Sequence, residues 1–165
     1  MYQILKSPGK YVQGPGVLSQ LDRHLQGMGN RLLVVLSRSG SGRVGPTLDR
    51  CFRETDYQLR YEIFQGECSQ RQIDRLAALA KEEGSTAIVG IGGGKILDTA
   101  KAAAHYTGLP AVIVPTVAST DAPCSSLSVI YRDNGEFERY LFLNTCPNMV
   151  VVDTDIIIRA PAKLL

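Results

Sequence analysis

Thr86–Lys101, TAIVGIGGGKILDTAK, is the stretch on which the fold turns. TAIVGI is apolar without alternation, the pattern of a strand buried on both faces. Beyond the glycine run, Ile96, Leu97, Ala100, Ala103 and Ala104 recur at helical spacing, and Gly108 and Pro110 close that helix. AVIV at 111–114 then reads as another strand. A buried strand feeding a helix and returning as a strand is the unit of a parallel sheet, because parallel neighbours need a crossover between them.

The same alternation extends towards the N-terminus. Ser69 and Gln72 stand as a capping box before Ile73, Leu76, Ala77 and Ala80, with Gly84 as the stop. QLRYEIF at 58–64 alternates apolar and polar residues, as a half-exposed strand does. RLLVVL at 31–36 is a β-rich run, followed by a Ser/Gly loop and a helix carrying Val44, Leu48, Cys51 and Phe52. A short strand-like stretch and an amphipathic helix with Val17, Leu18, Leu21 and Leu25 precede it, ending at Gly27 and Gly29. Towards the C-terminus, LSVIYR and EFERYLFL flank Asp133-Asn134-Gly135, where Asn-Gly suits the positive φ angles of a tight hairpin turn. MVVVD at 149–153 is a last buried strand. The expected fold is therefore α/β: an open, mostly parallel, Rossmann-like sheet flanked by helices, with an antiparallel hairpin inserted near 127–143.

Bulk properties narrow the function. With 165 residues, 44% hydrophobic and 21% charged, the chain has the make-up of one globular domain. A formal charge of +2 with scattered basic residues argues against a nucleic-acid partner. Cys51, Cys68, Cys124 and Cys146 lie far apart, which suggests free thiols rather than a zinc knot or disulfide framework. The opening MYQILKSPGKYVQG does not read as a signal peptide, and no apolar run approaches bilayer length. A cytoplasmic protein without a membrane partner is expected.

The glycine run carries the chemistry. Between a strand and a helix, residues without side chains let backbone N–H groups approach an anion, and the helix N-terminus supplies partial positive charge. Gly93 and Gly94 would line a dinucleotide phosphate site. Lys95 would add a full charge in the first turn, and Asp98, one turn on, could accept ribose hydroxyls. A Walker loop is excluded, because Val89 and Ile96 stand where that motif needs Gly and Ser or Thr. The Rossmann fingerprint fails too: counted from Gly90, its third glycine falls on Lys95. The plainer alternatives are a tight turn for the glycines and a solvated i,i+3 pair for Asp98 and Lys101. A second loop, PTVASTDAPCSSLSVIY, gathers Thr116, Ser119, Thr120, Asp121, Ser125 and Ser126 at the carboxyl end of the 111–114 strand, where open α/β sheets bind ligands. The two loops would line one crevice and hold opposite sides of a ligand. The alternative for the second is an ordinary polar loop with Asp121 as a local cap.

Taken in order, GECSQ, GIGGGKILDTAKA, PTVASTDAPCS, VIY and PNMVVVDT resemble the N-terminal domain of the bacterial glycerol dehydrogenases, within the iron-containing alcohol dehydrogenase and dehydroquinate synthase superfamily. The resemblance runs over essentially the whole chain and makes residues 1–165 an NAD-binding N-terminal domain. It implies that Gly94, Lys95 and Asp98 contact NAD around the pyrophosphate and nearby ribose, with Thr116 and Ser119 beside the cofactor. Ser125, Leu127 and Tyr131 match positions near the nicotinamide, and Asp121 matches the position that touches the polyol. The implied reaction is oxidation of glycerol to dihydroxyacetone by hydride transfer to NAD. Zinc or another divalent metal would polarise the alcohol in the complete enzyme.

Two departures stand out. The resemblance puts an acidic, ribose-binding residue after the 31–36 strand, but this chain has Ser37 and then Arg38, so NADP stays open beside NAD. The family's metal ligands, an Asp and two His, belong to a helical second domain beyond Leu165. None is expected among these residues, and His24 and His105 read as surface or packing histidines. The chain would then supply the cofactor-binding part of a homo-oligomeric enzyme and be inactive alone. The alternatives are a non-catalytic nucleotide-binding or assembly fragment, or a sugar-phosphate dehydrogenase or dehydroquinate synthase-like enzyme.

Overall fold

The computed structural model describes residues 3–162; Met1, Tyr2 and residues 163–165 of the expected domain lie outside the described residues. Six strands form one parallel sheet: β1 (Lys10–Gly14), β2 (Arg31–Leu36), β3 (Gln58–Ile63), β4 (Ala87–Gly92), β5 (Ala111–Pro115) and β8 (Met149–Asp153), in the order β1-β8-β5-β4-β2-β3. Two further strands, β6 (Leu127–Tyr131) and β7 (Phe137–Phe142), pair antiparallel as the expected hairpin. The half-exposed reading of 58–64 is explained by position, since β3 is an edge strand.

The helices divide between the two faces according to the alternation of the strands. Leu32, Val34, Leu36, Val89 and Ile91 point to the face covered by α2 (Arg38–Phe52), a 3-10 turn (Val17–Gln20) and α1 (Leu21–His24). Leu33, Val35, Ile88 and Ile113 point to the face covered by α3 (Gln70–Glu82) and α4 (Gly94–Thr107). A short α5 (Thr154–Ile157) follows β8. The helix that leaves β2 and the helix that leaves its neighbour β4 thus depart to opposite faces. Such a point, outside the carboxyl ends of the strands, is where open α/β sheets form a ligand crevice.

Three local expectations are corrected. The Ser/Gly stretch after β2 is no loop: α2 begins at Arg38, because the Ser37 hydroxyl accepts a hydrogen bond from Gly40 N–H at 3.0 Å and caps the helix at once. The Ser69–Gln72 capping box does not form, although α3 starts where expected. The Ser69 hydroxyl donates to Asp133 at 2.7 Å, and the Gln72 amide donates to the Gln65 carbonyl at 3.1 Å. A tertiary carboxylate has displaced the local cap.

At the hairpin only Gly135 has positive φ, at 88°, and no described non-glycine residue does. Gly135 N–H bonds to Arg132 O and Arg132 N–H to Glu136 O, at 2.9 and 2.8 Å. This is a type I turn followed by a left-handed glycine, a three-residue loop rather than a two-residue one. Its Asp133 accepts from Arg71 at 2.8 and 3.1 Å as well as from Ser69. These contacts tie the hairpin tip to the start of α3. No described helix is long and apolar enough to cross a membrane.

Candidate functional site

The glycines of VGIGGGK divide by what surrounds them. A Cβ at Gly90 would sit 2.6 Å from the Ala100 Cβ, so this glycine lets α4 press against β4. A Cβ at Gly92 would meet the Ile96 side chain at 2.7 Å, so this one permits the sharp exit from strand to helix. The other two have no such reason. A Cβ on Gly93 or Gly94 would find its nearest neighbours at 3.8 Å (Val117) and 3.5 Å (Thr120), ordinary contact distances, and neither residue has positive φ. The plain-turn alternative therefore accounts for Gly92 alone of the three consecutive glycines and leaves Gly93 and Gly94 without a structural cause.

These two residues open α4. No side chain caps this helix, and the first hydrogen bonds closed there are from Ile96 and Leu97 N–H to Gly93 O, at 3.0 and 3.2 Å. The leading N–H groups of a helix have no intrahelical acceptor and suit an anion. Gly94 fronts a cleft of about 440 Å³, lined also by Glu67, Lys95, Asp98, Ser119, Thr120 and Tyr131. Residues from the ends of β3, β4, β5 and β6 thus meet around one helix terminus. A bulkier residue at 94 would project into this cleft.

The structure brings Gly94, Lys95, Asp98, Ser119 and Tyr131 together, as expected of one crevice, but spreads the other candidates. Thr116 begins the loop beside the glycine turn, its N–H bonded to Gly92 O at 3.0 Å. Gly93 lies behind the helix opening against Val117. Asp121 is exposed and lines a neighbouring, largely apolar cleft of about 430 Å³ with Tyr11, Gln13, Val152 and Ile158. Thr120 belongs to both walls, so the loop separates two clefts where one crevice was expected. Ser125 and Leu127 stand at the back, against α4. Ser37 neighbours the glycine turn through the pairing of Leu36 with Ile91, but its hydroxyl is engaged by Gly40 N–H and lies 3.2 Å from Ser39 Oγ. A ribose would have to share it.

Two features escaped sequence reasoning. Lys95 Nζ lies 2.5 Å from Glu67 Oε1 across the cleft, so its charge is already countered by a carboxylate. The only signal was an acidic residue just past β3, at the carboxyl end of the sheet. Asp98 and Lys101 are not a solvated pair. The Lys101 side chain is 1% exposed, the Asp98 side chain 10%, and Nζ stands 3.0 Å from Oδ1. Asp98 Oδ2 accepts from Val129 N–H at 3.1 Å, and the Asp98 carbonyl accepts from Ser128 Oγ at 2.9 Å. Burial pushes the Asp98 carboxyl up from its ordinary range, and the Lys101 ammonium and Val129 N–H oppose that rise.

Cys68, behind the cleft wall, is fully buried, and its thiol is pushed up to about 12 by burial; that of Cys51 is raised to about 11 for the same reason. All four cysteines are free, and only Cys124 is exposed. Alkylation at pH 8 should therefore modify Cys124 well before Cys68, which should react only after denaturation. Peptide mapping that found Cys68 labelled as fast as Cys124 in the native protein would contradict this burial.

Residues 8–154 match the family model described as iron-containing alcohol dehydrogenase, and the chain belongs to that family. Among its relatives, the glycerol dehydrogenase of Escherichia coli is 52% identical over 165 residues, covering 100% of this chain and 45% of that protein. The glycerol dehydrogenase of Thermotoga maritima is 51% identical over 159 residues, 96% of this chain and 43% of that one. The crystal structure of a probable glycerol dehydrogenase from Sinorhizobium meliloti superimposes with a TM-score of 0.90 at 39% identity, over 99% of this chain and 44% of that chain. The chain thus spans somewhat under half the length of the relatives it matches.

Proposed function

We propose that this chain is the nucleotide-binding part of an NAD-dependent polyol dehydrogenase that oxidises glycerol to dihydroxyacetone by hydride transfer. The observation that carries this reading is Gly94: a glycine the fold does not need, at an uncapped helix N-terminus, facing a cleft, in a chain about half identical to glycerol dehydrogenases.

In this reading the pyrophosphate lies on the N–H groups of Gly93, Gly94 and Lys95, and the Lys95 ammonium exchanges Glu67 for a phosphate oxygen. Asp98 accepts hydrogen bonds from ribose hydroxyls. Thr116 and Ser119 flank the dinucleotide, and Ser125, Leu127 and Tyr131 border its nicotinamide end. Asp121 reaches the polyol from the adjoining cleft. The bound cofactor supplies the hydride acceptor, and the protein orients it and shields it from water. Among the described residues no group of three metal-ligating side chains comes together, so the divalent metal expected of the complete enzyme does not fit these residues.

Calorimetric titration with NAD, NADP and ADP tests the reading, with NADH absorbance followed after glycerol is added. Binding of a dinucleotide, with little or no NADH formed by these 165 residues alone, is the expected result. Absence of binding to all three nucleotides would remove the cofactor assignment, and steady glycerol oxidation would refute the dependence on residues outside this chain.

A second reading, NADP in place of NAD, is favoured by one observation: no carboxylate follows β2, and exposed Arg38 occupies the first turn of α2. A carboxylate there would bind the ribose hydroxyls and repel a 2′-phosphate, whereas an arginine accommodates one. Ser37→Asp should shift the ratio of NAD to NADP affinity towards NAD by about tenfold, ~1.4 kcal/mol. An unchanged ratio would show that this position does not read the ribose.

A further inference from the structure

A lysine with 1% of its side chain exposed needs a reason, because an apolar residue of similar volume fills such a site at least as stably. The neighbours of Lys101 supply one. Its ammonium donates to Ser125 O at 3.3 Å, to Ser125 Oγ at 3.2 Å and to the Leu127 carbonyl, and it faces Asp98 Oδ1 at 3.0 Å. Asp98 in turn holds the next residues of the same strand, through Val129 N–H and Ser128 Oγ. The Lys101 ammonium, the Asp98 carboxylate and the Asp98 carbonyl, all on one helix turn, thus fasten four of the five residues 125–129 to α4. Asp98 Oδ1 has no conventional hydrogen-bond partner beyond this ionic contact, although it is buried, and Asp98 lines the cleft.

We propose that Lys101, which does not line the nucleotide cleft, is a positioning residue that holds the Ser125–Val129 strap and the Asp98 carboxylate in one preset arrangement to receive the dinucleotide. This rests on the cofactor reading above. An apolar side chain at 101 would fill the volume but leave the buried Asp98 carboxylate without its adjacent cation and still under the negative field of Asp121, in a cleft whose other titratable lining residues are Glu67, Cys68, Lys95 and Tyr131. Burial would then act on the carboxyl with less opposition, and its pKa would climb further. Ribose hydroxyls donate to the ionised form, so affinity would fall as pH drops through that raised pKa and recover above it.

The test is titration of NAD and NADP into wild type, Lys101→Met and Asp98→Asn/Lys101→Met between pH 5 and 9. Wild type should bind at least about tenfold more tightly than Lys101→Met at the acidic end. The difference should narrow as pH rises, and the double variant should lack that pH dependence. Equal affinity of wild type and Lys101→Met, or a loss identical at every pH and shared by the double variant, would overturn the positioning role. If wild type binds neither nucleotide, the cofactor reading falls first, and that result is distinct from either of these. Amide exchange in the wild-type protein covers the case in which Lys101→Met does not fold. The Val129 N–H should be protected before nucleotide is added and unchanged after it; protection that appears only with nucleotide would show that the strap is not preset.

Discussion

Gly90→Ala is expected to destabilise the protein by about 1–3 kcal/mol, the cost typical of forcing extra atoms into a packed core. The new methyl would stand 2.6 Å from the Ala100 Cβ, and neither atom belongs to a flexible side chain that can swing away. Relief requires α4 to lift from β4, which disturbs the apolar layer of Leu97, Ala100, Ala103, Ile88 and Ile113 on that face. For a chain of this length, thermal melts followed by circular dichroism should show Tm lowered by roughly 3–10 °C. A variant melting within about 1 °C of wild type would mean that the close approach of helix and strand is not a constraint.

Gly94→Ala, four residues further on, should do the reverse. Its Cβ meets nothing nearer than Thr120 Cγ2 at 3.5 Å, and alanine suits a helix at least as well as glycine, so Tm should hold or rise slightly. Nucleotide affinity should nevertheless fall tenfold or more, ~1.4 kcal/mol, because the methyl projects into the cleft where a phosphate would rest on the backbone. Calorimetry and melting on the same samples separate the two effects. Unchanged affinity would move the phosphate away from Gly94, and a melting loss as large as that of Gly90→Ala would return this glycine to a structural role.

The pair of variants shows how far the sequence was legible. That three glycines stood between a strand and a helix was plain from the chain, and so was their fitness for an anion. Which glycine served packing and which the cleft was not plain, because the answer depends on how near Ala100 and Thr120 come. The same limit applies at Ser69. A hydroxyl before a helix announces a cap, yet here it bonds to Asp133, which is 64 residues away. At Ser37 the local rule held instead: the hydroxyl caps α2, and the serine- and glycine-rich turns that looked like a loop are helical. The hairpin was legible as two strands and a turn, but not its loop type, because Gly135 alone takes the left-handed conformation.

By itself the sequence determined the parallel sheet, its crossover helices and the strand-to-helix turn at residues 92–94. Those follow from periodicity and burial, which are written along a single segment of chain. Only the tertiary structure decided that Lys95 faces Glu67, that Asp121 opens on a different cleft from Asp98, and that Asp98 and Lys101 form a buried clamp rather than a solvated pair. An i,i+3 spacing puts two charges on one face of a helix whether that face meets water or a folded strand. The energy of the pair is set by what covers it, and here the cover is the Ser125–Val129 strap.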